Sequence, residues 1–380
     1  MTSPAVTRIR LPSGELTLEV QQGLAWKLDD LLGFGVRRNP KRGYLLVSRV
    51  LGKHVPVSPL TMRAAQRALA AQIAPDLPGP LLFVGLAETA TALGEGVTRE
   101  WAARTGRSDF TFLHTTRYRQ RGELALSFQE PHSHASGHLI YRPSGQEGQR
   151  HVAGARTLVL IDDELSTGTT LENLAREYMA LNPQLERLLL VSLTDFCPRH
   201  AEIRAALGLP VQCVSLLSGH LRFAPDPAYS PPALPAVSGT DQDKTPLLAA
   251  VSARNGQDAG TSPLLDAALD RLLQTPEGQR VLILGTGEFQ YPPYLLALRL
   301  LLARPDLRVF HSATTRSPVV TWGQIGHALT FTDNYGDGIP NFVYNVLPGE
   351  YAQVWVGYEG QAMPDAALLG TLNATAVRLA

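Results

Sequence analysis

The sequence predicts an α/β protein: a doubly wound, mostly parallel sheet followed by a second, smaller α/β unit. Three observations lead there. Short apolar runs at 81–85, 110–114, 157–161, 188–193 and 211–217 have the length and composition of buried strands. Segments with helical character, among them 89–104 and 170–181, alternate with these runs. A stretch dense in Pro, Ser and Gly, 224–263, then divides the chain, and the strand–helix pattern resumes beyond it.

Each element can be justified in order. Alternating apolar residues at 7–10 and 16–20 flank Ser13-Gly14 and read as an N-terminal hairpin. A basic turn leads into a buried strand at 44–50 and a loop at 52–59, after which Thr61 is placed to cap a helix over 62–73. The 81–85 strand ends in glycine before its helix, and the 170–181 helix is stopped by Asn182-Pro183. This gives a first domain over 1–223, with its N-terminal hairpin and hood, and a linker over 224–263. A second domain over 264–380 opens with a helix at 264–273 and a strand at 281–284.

Composition bounds what such a protein does. With 44% hydrophobic and 18% charged residues, 380 residues bury a sizeable core. The 34 Lys+Arg balance 34 Asp+Glu, so there is no net basic field for nucleic acid or an anionic membrane surface, and any anion must be held by a local site. Cys197 and Cys213 lack disulfide-framework or CxxC spacing and read as reduced, buried thiols. The N-terminus has no apolar signal-peptide core, and the apolar run 294–303 is broken by Arg299, so the expectation is a soluble, cytoplasmic protein.

The densest chemical signal is the run from Leu158 to Thr170. An apolar strand delivers Asp162 and Asp163 to its C-terminal end, where open α/β sheets bind ligands. Ser166, Thr167, Gly168, Thr169 and Thr170 then open a helix. Their backbone N–H groups and hydroxyls suit a phosphate at the positive helix end, and Gly168 permits close approach. The paired carboxylates can accept hydrogen bonds from vicinal ribose hydroxyls, each worth roughly 1.5–3 kcal/mol.

This segment closely resembles the phosphoribosyl-pyrophosphate loop of type I phosphoribosyltransferases, a Rossmann-like family. The resemblance implies that Asp162 and Asp163 hold the ribose hydroxyls and Ser166 to Thr170 the 5-phosphate. It further implies that Leu86, Ala87, Glu88 and Thr89 form the pyrophosphate loop, and that Arg117 lies on the leaving pyrophosphate. A flexible loop carrying Glu130, His132 and His134 would cover the site, and Mg2+ would be held mostly through substrate, with Asp162 and Asp163. His132, His134 and His138 also fit an H-x-H-x3-H metal pattern, though no further ligand spacing completes it. Glu164 departs from the family, which has an apolar residue there; it is either an added carboxylate near the metal or a solvated side chain. Ser166 stands where purine-salvage relatives place an aspartate, and serine is no comparable base, so the arrangement looks more like the orotate branch.

Two further segments, 39–59 and the Thr315-Arg316-Ser317-Pro318 signature, resemble the phosphoribosyltransferases of bacterial tellurite-resistance-associated operons, which carry a second domain named for that signature. The resemblance implies transfer between phosphoribosyl pyrophosphate and a base-like acceptor, yielding or splitting a nucleotide-like metabolite of a stress response. A non-catalytic regulator binding phosphoribosyl pyrophosphate or a nucleotide is the alternative. Arg42, Lys53 and His54 either line a pocket or form a solvated basic turn.

The second domain echoes the first. Gly85 and Gly285, like Glu88 and Glu288, are 200 residues apart, and Thr115-Thr116-Arg117 recurs as Thr314-Thr315-Arg316. Either the second domain is a diverged copy or generic α/β segments align by chance. A copy would lack the acidic pair, since its strand at 353–357 runs into Tyr358-Glu359-Gly360. The expectation is a homodimer or an intramolecular pseudo-dimer, in which Glu288, Thr315, Arg316 and Ser317 meet acceptor or product. The 333–338 segment adds polar contacts or forms a surface turn.

Overall fold

The computed structural model describes residues 5–20, 25–37, 39, 42–128, 137–233 and 242–380. The chain begins with a hairpin, β1 (Ala5–Leu11) and β2 (Gly14–Val20), the single turn α1 (Leu28–Leu31), and a second hairpin, β3 (Leu32–Val36) and β4 (Tyr44–Ser48). Then come α2 (Pro59–Gln72), β5 (Leu81–Gly85), α3 (Thr91–Thr105) and β6 (Phe110–His114). A hairpin of β7 (Leu124–Phe128) and β8 (His138–Tyr141) precedes α4 (Gln146–Gly154), β9 (Thr157–Leu165) and α5 (Thr169–Leu181). β10 (Arg187–Asp195), α6 (His200–Leu207) and β11 (Val211–Pro225) complete the first domain.

Seven strands form its sheet in the order β1-β2-β11-β10-β9-β5-β6, and the five from β11 to β6 are mutually parallel. Alternation along the strands builds two cores. Leu81, Phe83, Val159 and Ile161 face α2 and α3, with Leu69 and Trp101 among their neighbours. Leu82, Val84, Leu158 and Leu160 face the opposite layer, with Val152 of α4, Leu174 and Tyr178 of α5 and Ile203 of α6. Covering both faces is what allows near-continuous apolar strands.

Several boundaries differ from the sequence reading. α2 starts at Pro59 after Ser58, not at Thr61, because proline's fixed φ suits the first helical position. α3 starts at Thr91, since residues 86–90 are spent on a loop. β11 outruns the expected 211–217 because it changes partner: Val211 to Ser218 pair in parallel with β10, and Gly219 to Pro225 pair antiparallel with β2. The polar stretch after Arg117, expected as continuous loop, contains β7, whose short run left little periodicity to read.

The second domain comprises α7 (Pro263–Leu272), β12 (Arg280–Gly285), α8 (Tyr291–Ala303), β13 (Arg308–Ala313), a hairpin of β14 (Ala328–Thr332) and β15 (Pro340–Tyr344), β16 (Gln353–Tyr358), α9 (Ala366–Leu372) and β17 (Ala374–Arg378). Its four-stranded sheet is parallel throughout, in the order β13-β12-β16-β17. That is the order of β6-β5-β9-β10, and each domain inserts a hairpin after the first-named of these strands.

The domains share buried surfaces. Met62 of α2 and Ala92 of α3 pack with Tyr291, Tyr294 and Leu298 of α8, and the Tyr294 hydroxyl donates to Gln66 Oε1 at 2.8 Å. Leu45 and Val47 of β4 pack with Val319, Ile325, Phe342 and Tyr344, so the β3–β4 hairpin rests on the second domain. Residues between the domains contribute buried charge: Lys244 pairs with Asp337 at 2.7 Å, both side chains 3% exposed. Among the described residues no helix is long and apolar enough to cross a membrane.

Candidate active site

Strands β5 and β9 are neighbours, yet β6 lies on one side of them and β10 on the other. Their C-terminal ends therefore flank a switch point, where a crevice opens in α/β sheets. Gly85 lies opposite Ile161, and the Leu86 N–H donates to the Ile161 carbonyl at 3.0 Å. Leu86 to Thr89 thus begin beside Asp162 and Asp163, and the structure brings these two sequence-predicted groups together.

Asp162 and Asp163 lie half-buried near the C-terminal end of β9, ahead of Glu164 and Leu165, and the Asp163 N–H donates to Asp162 Oδ1 at 2.9 Å. Ser166, Thr167 and Gly168 turn the chain into α5, with Thr167 exposed and Ser166, Thr169 and Thr170 half-buried. Gly168 is required here: its φ is +72°, and an added Cβ would lie 2.6 Å from Ile203 Cδ1. Arg199 braces the loop, donating to the Thr167 carbonyl at 3.3 Å and to Thr169 Oγ1 at 3.1 Å.

Glu164 is not solvated: its side chain is 12% exposed. Its carboxylate takes a 2.8 Å bond from Arg42, with Arg37 close by. Burial raises its pKa, and Arg42 and Arg37 oppose that shift. Lys53 reaches the other loop, donating to Thr89 Oγ1 at 2.8 Å and standing 4.0 Å from Glu88 Oε2. His54, by contrast, is buried; desolvation holds its pKa well below the ordinary value, and its carbonyl accepts from Asn345 at 2.8 Å. Of the three basic residues, Arg42 and Lys53 meet the site and His54 belongs to the domain interface.

Arg117 follows β6 and is half-buried, its guanidinium 3.4 Å from His138 Nε2. His138, on β8, stacks against Phe128 with centroids 4.9 Å apart, and its Nδ1 is 2.7 Å from Thr115 Oγ1. Glu130, His132 and His134 lie outside the described residues.

The second-domain candidates gather at the interface, beside these loops. Glu288 is buried: Oε2 accepts from the Thr116 hydroxyl at 2.6 Å, and Oε1 from the Arg117 backbone N–H at 2.7 Å. The Thr315 hydroxyl donates to Glu88 Oε2 at 2.5 Å, and Arg316 Nε stands 3.9 Å from Glu88 Oε1. Arg316 also lies over the Tyr118 ring, 5.2 Å from its centroid. Burial works to lower the Arg316 pKa, but Tyr118, Glu88 and Glu288 outweigh it and raise it. Ser317 is exposed, its N–H donating to Thr315 Oγ1 at 3.1 Å. Segment 333–338 is a turn organised by Asp333, whose carboxylate accepts from the N–H groups of Tyr335, Asp337 and Ile339, and it sets Tyr335 on Tyr118 with centroids 4.4 Å apart.

Sequence reasoning missed Arg254. Only 1% exposed, it forms a two-pronged pair with Glu359 and stands 3.4 Å from Glu288 Oε2. Extending the pairing of Leu284 with Val356 by one residue puts Gly357 in Ile161's place and Glu359 in that of Asp163. Arg254 therefore fills, in the second domain, the crevice that stays bordered by carboxylates in the first. No local pattern announces a pair separated by 105 residues.

Residues 31–220 match the model of a family described as phosphoribosyl transferase, and residues 252–374 match a TRSP domain described as C-terminal to it. Among solved structures, the adenine phosphoribosyltransferase of Giardia lamblia in complex with 9-deazaadenine is 18% identical, covering 43% of this chain and 82% of that one with a TM-score of 0.29. The Rhodothermus marinus adenine phosphoribosyltransferase is 19% identical, covering 50% of this chain and 97% of that one, also at 0.29. No curated protein matches the chain.

Proposed function

Since the chain belongs to the phosphoribosyl transferase family, with a TRSP domain behind its catalytic domain, we propose that it moves the phosphoribosyl group of phosphoribosyl pyrophosphate to or from a base-like acceptor. The observation that carries the proposal is the convergence of two loops at one switch point: Asp162-Asp163 with Ser166 to Thr170, and Leu86 to Thr89. The carboxylates accept the ribose hydroxyls. The loop amides at the start of the 13-residue α5 take the 5-phosphate. Lys53, Arg117 and residues 86–89 face the pyrophosphate.

The donor set suits a hard cation: Asp162 and Asp163 place two half-buried carboxylates side by side near the C-terminal end of β9. When bound, Mg2+ held by Asp162 and Asp163 through the substrate would neutralise charge on the pyrophosphate. The anomeric carbon loses its bond to pyrophosphate, which departs with the electron pair, and the acceptor nitrogen supplies the new bond. Lys53 and Arg117 stabilise the departing charge by electrostatic preorganisation. Ser166 offers no carboxylate for the acceptor proton, which favours an acceptor that ionises readily. The resemblance to the proteins of tellurite-resistance-associated operons supports reading the product as a stress-response metabolite.

The test incubates the protein with Mg2+, phosphoribosyl pyrophosphate and a metabolite extract, following pyrophosphate release and new masses. Acceptor-dependent release is expected. Tight binding without any release would instead support a regulator.

A further inference from the structure

The two domains brace each other reciprocally. Thr115 N–H donates to the Gly85 carbonyl and Thr314 N–H to that of Gly285, both at 2.9 Å. Ala87 N–H donates to Thr115 Oγ1 at 2.8 Å, and Gly287 N–H to Thr314 Oγ1 at 3.0 Å. Thr116 exchanges two backbone bonds with Leu139, as Thr315 does with Phe342. Equivalent residues then cross the interface in opposite senses. Glu288 takes the Thr116 hydroxyl and Glu88 takes that of Thr315, which is the signature of an isologous, twofold contact.

One half of this exchange acts on the candidate active site. We infer that Glu288, buried in the second domain and bonded to both the Thr116 hydroxyl and the Arg117 backbone N–H, is a positioning residue that aims Arg117 at the pyrophosphate. The TRSP domain thereby does for the first domain what a second subunit does across a dimer axis. The inference rests on the phosphoribosyl-pyrophosphate reading above. Thr116 Oγ1 also accepts from the Tyr118 N–H at 3.1 Å, so the Glu288 carboxylate joins the backbone bonds to Leu139 in fixing the 116–118 turn. A glutamine would keep an acceptor for the Arg117 N–H but lose the charge, and its NH2 in place of Oε2 would take the Thr116 hydroxyl only by reversing that bond and would face the Arg254 N–H. Glu359 shares Arg254 with Glu288 and has no bond to 116–118 among the described residues, so it serves as the matched control.

The experiment titrates full-length wild type, Glu288→Gln and Glu359→Gln with pyrophosphate plus Mg2+ and, separately, ribose 5-phosphate. Ribose 5-phosphate spans only the acidic pair and the phosphate loop. Glu288→Gln is expected to weaken pyrophosphate binding roughly 10- to 100-fold, the equivalent of about one charge-assisted hydrogen bond, with ribose 5-phosphate unchanged. Glu359→Gln is expected to leave the ratio of the two affinities as in wild type. If Glu288→Gln does not fold, Thr116→Val removes one donor and should weaken pyrophosphate selectively by a smaller factor. Equal loss of both ligands, or no selective loss, overturns the positioning role. Wild type binding neither ligand overturns the reading of the first domain itself.

Discussion

Replacing Arg254 by methionine keeps most of its volume and removes its charge, which separates electrostatics from packing. In the wild type the guanidinium is 1% exposed and faces two carboxylates, Glu359 and Glu288, each with a fully buried side chain. Glu359 would retain the Ala249 N–H at 2.9 Å and the Tyr335 hydroxyl at 3.0 Å, and Glu288 would retain Thr116 and Arg117. Those bonds soften the loss without neutralising it. Breaking a buried pair from one side costs about 3–5 kcal/mol, and that is the expected destabilisation at pH 8. A carboxyl left unpaired has its folded pKa raised above its unfolded value. Stability it confers in acid is then lost as pH rises through the folded pKa, so the deficit should be smaller at pH 5.5 than at pH 8. Urea unfolding of both proteins at the two pH values measures this. Replacing Glu359 by leucine as well should recover part of the loss. A deficit below about 1 kcal/mol, or one equal at both pH values, would refute the assignment of Arg254 as the counter-charge of this crevice.

Two further changes test other parts of the molecule. Gly168→Ala forces a side chain into a φ of +72° and toward Ile203; these cost about 1–2 and 1–3 kcal/mol, so a urea-measured loss of about 2–5 kcal/mol with weakened ribose 5-phosphate binding is expected, and a loss under about 0.5 would contradict it. Glu95 is buried beside Arg99, Asp258 and Tyr291, and desolvation pushes its pKa up to about 8 against the opposing pull of Arg99. Its contribution is complete below the ordinary 4.5 and is lost as pH rises toward 8, so Glu95→Gln should flatten the fall in stability across that window. Parallel wild-type and variant curves would contradict it.

What the sequence made legible was local. Leu158 to Thr170 carries strand, acidic pair, glycine and hydroxyl run within 13 residues, so periodicity and turn chemistry suffice to read it. The repeated Gly-x-x-Glu and Thr-Thr-Arg elements were visible because recurrence needs no partner. The partners themselves were not. Nothing near Glu288 says that it turns to Thr116, and nothing near Arg254 says that it meets Glu359, since each contact spans more than 100 residues. The exchange of partners along β11 was hidden for the same reason: one strand satisfies two neighbours, and only assembly shows where it switches. Glu164 shows the limit of the acidic motif, because the guanidinium that occupies it comes from 122 residues upstream.

The most direct measurement is a calorimetric titration of the full chain with phosphoribosyl pyrophosphate in Mg2+, read for stoichiometry. One site per chain is expected, because the crevice at Asp162 and Asp163 stays bordered by carboxylates while Arg254 occupies its counterpart. Asp162→Asn combined with Asp163→Asn should abolish that binding. Two sites per chain, or an affinity that survives the double substitution, would contradict the assignment of the first domain as the phosphoribosyl-pyrophosphate site.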